Sequence, residues 1–306
     1  MLKKFIVNRD YHNSRFDRWF KQNVSNVPQS LIEKFIRKKK VKINKKRVKT
    51  SYRVQFNDII ELHGTWNLKS QTKPRNEKYR PSEKEKTKYG SFIIENNENF
   101  IVINKPSGVP VQAGTKSFRN IIDILKNTKF FEFSKPYVVH RLDKETSGVM
   151  IVAKNREYAQ LFTSLFRIRK IHKTYLAVAH GEVKKNLSVL QDNLVTYEKN
   201  KKVIQKAISY LKILKSNNNY SFLELKPITG RKHQLRKQLY NIGNPVVGDD
   251  KYIFHEIKTK SKTKNLMLHA YKIKFMINNI KYNFEANYGK EFEDFIKRKL
   301  KLLKNI

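Results

Sequence analysis

The chain has 306 residues, 39% of them hydrophobic, and contains no cysteine. That length can bury a sizeable core and is a soft prior for about two domains, while the lack of cysteine excludes disulfides and cysteine–zinc sites. Lysine and arginine number 66 against 26 acidic residues, a formal net charge of +40, and a field of that sign and size favours a polyanionic partner.

Lysine and asparagine are also abundant in stretches that read as inert surface, so the placement of the charge has to decide what it is for. Near the start only Phe5 to Val7 is apolar, too short a run for a secretory signal core. No window approaches the length of a membrane span. A cytoplasmic protein with no membrane association is expected.

In chain order, Phe16, Trp19 and Phe20 fall at helical spacing. A second helix is predicted from Ser30, where Ser30 and Glu33 form a capping-box pattern and Leu31, Ile32, Phe35 and Ile36 supply an apolar face. "VKINKKRV" predicts a strand, a turn at Asn44–Lys45 and a second short strand, and "DIIEL" a third. Arg37, Lys38, Lys39 and Lys40 end the second helix; Lys42, Lys45, Lys46, Arg47 and Lys49 follow on the hairpin. Cations at a helix C-terminus complement its dipole, but that does not require nine of them, and a phosphate-binding surface accounts for the whole set. On its two short helices, its basic "VKINKKRVK" hairpin and its closing "NDIIEL", segment 14–63 resembles an S4 RNA-binding domain.

Residues 64–90 are polar, lysine-rich and aperiodic, which predicts a flexible basic linker. From residue 91 to the end at 306 the pattern becomes that of a second domain. "FIIENNENFIVINKPSGVPVQ" reads as two strands with a turn between them, the second broken by Pro106, Gly108 and Pro110. Helices are predicted at "IIDIL", at "NREYAQLFTSLFRIRKI", at "RKHQLRKQLYNIG" ending at Gly243, and at "EFEDFIKRKLKLL". "KTYLAVAHGEV", "YSFLELKPITG" and "LMLHAYKIKF" predict strands. Without regular βαβ alternation, the expected class is α+β, with a largely antiparallel mixed sheet flanked by helices.

Three clusters could carry chemistry. In "VVHRLDKETSGVMIVAKN", Arg141 and Asp143 stand between two apolar runs, where an ion pair costs desolvation unless it is paired and used. Gly148 and the small polar residues before it predict a tight loop, a good place for a reactive group; by spacing alone a solvated turn is equally compatible. In "TGRKHQLR", Arg231, Lys232, His233 and Arg236 crowd a predicted helix start, where cations oppose the dipole and a bound anion would account for them. A solvated basic face is the alternative. Leu235 and Leu239 mark the buried side of that helix, Arg236 lies next to it, and Asp143 is the natural carboxylate for a half-buried arginine. Tyr175, in alternation with Ala177 and Ala179, reads first as plain packing and second as a platform for a base. The histidines show no metal-ligand spacing, and there is no glycine-rich phosphate loop, dinucleotide fingerprint or nucleophile elbow; neither a metal nor a cofactor is expected.

"HRLDKETSG", Arg231 with "HQLR", "INKPSGVPVQAG" and "KTYLAVAHG", in that combination, resemble the RluA-type family of RNA pseudouridine synthases, and "KPSGVPVQAGTKS" is most like its RluC type. The resemblance covers nearly all the chain outside the linker and implies an enzyme that isomerises uridines in large-subunit ribosomal RNA. It implies Asp143 as the catalytic aspartate, Arg236 as its partner, Tyr175 as the group stacked on the target base, and Arg141 as a residue holding the nucleotide out of the helix. Arg231, Lys232 and His233, with Arg37, Lys39, Lys42, Lys45, Lys46 and Arg47 of the S4-like segment, are the expected RNA contacts. One departure is visible: "LRKQLY" carries Gln238 where a histidine often follows the motif arginine by two places. Rival readings are an S4-type assembly factor without catalysis, a tRNA-modifying synthase, and a glycosylase that would release free base. A monomer is expected.

Overall fold

In a computed structural model, residues 2–64, 79–113, 119–198, 201–258 and 265–301 are described. The chain divides into two compact units, Met1–Lys78 and Tyr79–Ile306.

The first unit holds β1 (Leu2–Ile6), β2 (Ser14–Arg15), α1 (Phe16–Asn23), α2 (Gln29–Arg37), β3 (Val41–Ile43), β4 (Arg53–Val54) and β5 (Ile59–His63). Phe16, Trp19 and Phe20 of α1 and Ile32 of α2 are buried against Val41, Ile43, Ile60 and Leu62, so the two amphipathic helices close over one small sheet of order β1-β5-β3. Three expectations are corrected. The domain starts before residue 14, because β1 pairs antiparallel with β5 from Leu2–His63 to Ile6–Ile59. The Ser30–Glu33 capping box does not form: Pro28 caps α2, and the Gln29 amide instead donates to Asp17 at 2.9 Å. The second strand of the basic hairpin is reduced to a single antiparallel bridge, Lys46 to Ile43, with both backbone bonds at 2.9 Å. After β3, Asn44 and Lys45 turn with positive φ, and the Asn44 side chain bonds Asp58 and the Ile59 N–H at 2.7 and 2.8 Å. Asn44 thereby fastens the turn to β5, which leaves Lys45, Lys46 and Arg47 exposed.

The second unit begins earlier than residue 91. Residues 65–78 of the expected linker lie outside the described residues, but α3 (Glu83–Gly90) is a capped helix whose Ser82 hydroxyl accepts the Glu85 N–H and whose Tyr89 is buried in the core. There follow β6 (Ile93–Asn96), β7 (Phe100–Lys105), α4 (Ile121–Lys126), β8 (Tyr137–Val138), β9 (Ser147–Ala153), α5 (Arg156–Arg167), β10 (His172–His180), β11 (Val189–Glu198), β12 (Lys201–Ser216), β13 (Tyr220–Pro227), α6 (Gln234–Asn241), α7 (His255–Lys258), β14 (Leu268–Ile277), β15 (Ile280–Glu285) and α8 (Lys290–Leu300).

Among the described residues, ten strands form one sheet of order β11-β12-β13-β10-β14-β9-β7-β6, with β15 on β14 and β8 on β9. The β9–β14 contact is parallel and the other pairings are antiparallel, as expected for the α+β class. In the centre, Leu176 to Ala179 of β10 are buried in succession, the mark of a strand covered on both faces.

The β9–β14 junction requires glycine. Gly148 has φ +113°, and a Cβ there would lie 2.2 Å from the Ala270 carbonyl oxygen. Gly148→Ala is expected to destabilise the protein by about 3 kcal/mol or more, from backbone strain plus overpacking, measurable by urea unfolding. Beside it, Ser147 Oγ and Nδ1 of the fully buried His269 lie 2.8 Å apart, and His269 Nε2 bonds the Ala286 carbonyl at 2.8 Å. Burial pulls the His269 pKa from 6.5 down to about 4. The unfolded chain takes up this proton near 6.5 and the folded protein only near 4, so stability present above 6.5 is lost as pH falls through that window. The expected loss is about 3 kcal/mol; His269→Gln should flatten this part of the unfolding free energy measured against pH.

Candidate active site

The loop from His140 to Thr146 enters the sheet through β9, and each residue in it has a different destination. Nε2 of His140 accepts the Ile151 N–H at 2.9 Å, and its ring lies 4.6 Å from that of Phe166. Burial, with the Lys173 charge nearby, lowers the His140 pKa to about 3, which keeps the ring neutral and able to accept. Leu142 is buried in the core, Arg141 is exposed, and Asp143 lies between them with a side chain 30% exposed. The Asp143 carbonyl accepts the Thr146 N–H at 3.2 Å, closing a turn.

The "NKPSG" stretch clamps that turn. The Gly108 N–H donates to the Lys144 carbonyl at 2.9 Å and Ser107 Oγ to the Glu145 carbonyl at 2.6 Å. Lys105, fully buried, donates through Nζ to the carbonyls of Pro106, Val109 and Lys144 at 2.8, 3.0 and 3.1 Å. Burial draws its pKa down to about 7, but three acceptors need three N–H donors, which only the ammonium provides.

Across the cleft stand β10, the β13–α6 turn and α6. Contrary to the sequence expectation, Arg231, Lys232 and His233 precede the helix: α6 starts at Gln234, and His233 sits before it in the left-handed conformation at φ 53°. Gln234 organises the turn. Its Oε1 accepts from Thr229 Oγ1 at 2.7 Å and the Arg231 N–H at 3.0 Å, and its Nε2 donates to the Ile208 carbonyl at 3.1 Å and Ser209 Oγ at 3.0 Å. Gln238, at the position of the departure from the family pattern, is fully buried and bonds Ser209 Oγ and the carbonyls of Leu190 and Ala207. It ties α6 to β11 and β12.

The expected Arg236–Asp143 pair is present as a long ion pair, and Arg236 has a closer partner that the sequence did not show. Arg236 is buried and pairs bidentately with Asp249, Nε to Oδ2 and Nη2 to Oδ1, both at 2.6 Å. Its Nη1 reaches Asp143 Oδ2 only at 4.0 Å. Asp249 follows Gly248, whose φ is +77° and whose added Cβ would meet the Asn265 carbonyl oxygen at 2.0 Å. A carboxylate fixed in that way holds the guanidinium rigidly, so that its free edge faces Asp143. His233 Nε2 lies 3.7 Å from Asp143 Oδ1, and its Nδ1 lies 2.9 Å from the Tyr252 hydroxyl. Burial lowers the His233 pKa, with Asp143 acting against it and Arg236, Lys232 and Lys251 adding to it. Tyr175 is half-buried in the cleft wall, and burial plus the Asp143 charge push its hydroxyl pKa up. It stays a neutral flat ring.

Asp143, Arg141, Tyr175, Arg231, Lys232, His233 and Arg236 thus line one cleft of about 1120 Å³. The Asp143 carboxylate makes no hydrogen bond among the described residues; it is a half-exposed acceptor facing open space and ringed by cations. Arg37, Lys39, Lys42, Lys45, Lys46 and Arg47 belong to the first unit, where, with Lys42 the half-buried exception, they are exposed. Sequence reading missed Asp249, Tyr252 and Lys105. The signals were present as "VVGDDKY", an acid pair after a glycine, and as the lysine of "NKPSG".

The RNA pseudouridylate synthase family model matches residues 99–241, and the S4 domain model residues 26–60. The chain is 36% identical to a ribosomal large subunit pseudouridine synthase C of Rickettsia felis over 91% of both chains. It is 32% identical to the protein of that name from Buchnera aphidicola subsp. Schizaphis graminum over 88% of both. The solved structure of human RNA pseudouridylate synthase domain containing 4 superposes with a TM-score of 0.58 at 26% identity, covering 70% of this chain and 96% of that one. On that similarity, which runs through the loop and helix that form the cleft, the chain belongs to the RNA pseudouridine synthase family and carries an S4 domain ahead of its catalytic fold.

Proposed function

We propose that this protein converts specific uridines of large-subunit ribosomal RNA to pseudouridine, with Asp143 as the reacting carboxylate. The observation that carries the reading is the setting of Asp143: a carboxylate that makes no hydrogen bond among the described residues and faces His233 and Arg236 at 3.7 and 4.0 Å, in an open cleft beside a half-buried tyrosine. Large-subunit RNA as substrate rests on the names of the relatives at 29–36% identity.

The reaction breaks C1′–N1 and joins C1′ to C5 of the same base, with the C5 proton leaving and N1 gaining one, so substrate and product are isomers. The uridine first leaves its stack, at a cost of a few kcal/mol. The face of Tyr175 receives the base and Arg141, on the rim, supports the displaced strand. Glycosidases employ two carboxylates because their leaving group needs a proton; uracil departs as a stabilised anion and stays in the pocket, so one carboxylate suffices. Arg236 and His233 favour that anion and orient Asp143. The basic edge of the S4 domain, Arg37, Lys39, Lys42, Lys45, Lys46 and Arg47, holds RNA phosphates. The enzyme works as a cytoplasmic monomer.

The test is a pseudouridine map of ribosomal RNA from cells lacking the protein, by carbodiimide-blocked primer extension, with wild type or Asp143→Asn added back. Marks lost from large-subunit RNA and restored only by wild type support the reading. An unchanged map there with marks lost from tRNA moves the substrate to tRNA, and an unchanged map in both favours the assembly factor.

A further inference from the structure

The cations of the cleft are of two kinds. Arg141, Lys144, Arg169 and Lys251 are exposed and solvated, with Lys144 beside Glu145 at 3.8 Å and Lys251 over the Tyr252 ring. Three others lie deeper. Arg231, half-buried, donates through Nε to the Lys206 carbonyl at 3.3 Å. Arg236 is neutralised by Asp249 at 2.6 Å. Lys173 has no such partner: among the described residues it makes no hydrogen bond and no ion pair.

Lys173 is half-buried on β10, two residues before Tyr175, and both line the cleft. The ladder to β14 shifts register between Thr174 and Tyr175, and the two side chains still share the cleft wall. Burial alone lowers the Lys173 pKa, with no carboxylate opposing it. Its ammonium lies against Gly230 of the β13–α6 turn, where an added Cβ would stand 3.8 Å from Nζ. A side chain at residue 230 would cover the ammonium on that side, and glycine leaves it open to the cleft. A desolvated cation without a counter-charge is costly, so its place in the wall is accounted for by an anion that arrives with the substrate.

We infer that Lys173 binds a backbone phosphate of the flipped nucleotide, inside the cleft, while Tyr175 stacks on its base. This rests on the reading that RNA enters this cleft, and it adds a fixed point for the sugar between two contacts, phosphate on Lys173 and base on Tyr175, with Asp143 facing it.

The test is filter binding of the full chain to large-subunit ribosomal RNA across a salt series, for wild type, Lys173→Met and Lys173→Arg. Lys173→Met is expected to weaken binding about 10-fold and to reduce the slope of log K against log salt by about 0.7–0.9, one phosphate contact. Lys173→Arg, which keeps the charge, is expected to retain the wild-type slope. Wild-type affinity and slope for Lys173→Met would overturn the inference, as would equal losses in both variants, which would make Lys173 a packing group. Binding needs no turnover, so the two readings fail separately. RNA that binds through Lys173 but gains no pseudouridine contradicts the proposed function alone. Pseudouridine formed by Lys173→Met with unchanged binding contradicts this inference alone.

Discussion

Asp143→Asn is expected to lower pseudouridine formation by at least about 10³-fold, in the range for loss of a positioned reacting acid or base, with RNA affinity and thermal unfolding unchanged. The amide is nearly isosteric, and the carboxylate it replaces makes no hydrogen bond among the described residues, so the fold has little to lose. The Arg236–Asp249 pair stays closed at 2.6 Å without it, and the loop is held by the Lys105, Ser107 and Gly108 contacts to backbone carbonyls. The change is therefore confined to the charge. Tritium release from RNA carrying 5-tritiated uridine measures the rate directly; a variant within tenfold of wild type would remove Asp143 from the chemistry.

Arg236→Met, unlike Asp143→Asn, should lower stability as well as activity. The Asp249 side chain has no exposed surface and the Arg236 side chain is 4% exposed. Truncating one partner of such a pair leaves an uncompensated buried charge, at about 3–5 kcal/mol. Asp249 keeps the N–H groups of Lys251 and Tyr252, each at 2.9 Å, which places the expected loss toward the lower end. Adding Asp249→Leu removes the stranded charge and should recover part of the stability, but not the activity, because the cation facing Asp143 is still missing. Urea unfolding of the two variants separates these effects. A single variant as stable as wild type would mean that the pair is solvated.

Much of this was legible in the sequence for local reasons. The periodic faces of α1, α2 and α5, the apolar run of β10, and the order of "KPSG", "HRLD", "KTY" and "HQLR" are carried by residues close together in the chain. The long β11–β12 ribbon was not legible. Its inner face uses Ser209 and Ala207, both fully buried, beside Leu190, Leu194 and Leu211, whereas Ile204 and Tyr210 point outward at 62% and 52% exposure, so the hydrophobic alternation that marks a half-buried strand is blurred. Ser209 is tolerated inside because Gln238 and Gln234 bond its hydroxyl, a satisfaction supplied by α6.

Within the site, the sequence brought the right charges together and missed one partner. Asp143 was the visible carboxylate for Arg236, but Asp249, 13 residues after that arginine, has the better geometry. Nothing local announces this, because Gly248 must first turn the chain against Asn265. The capping box at Ser30 failed because α2 starts at Gln29 behind Pro28, which puts Ser30 inside the helix rather than at its cap.

The most direct test of the central claim is nucleoside analysis by mass spectrometry of unmodified large-subunit ribosomal RNA incubated with the purified full chain and nothing else. The expected result is pseudouridine at discrete positions, an equal loss of uridine, and no free uracil in solution. Free uracil with abasic sites would make the cleft that of a glycosylase. RNA that binds and returns unchanged would leave Asp143 without its reaction.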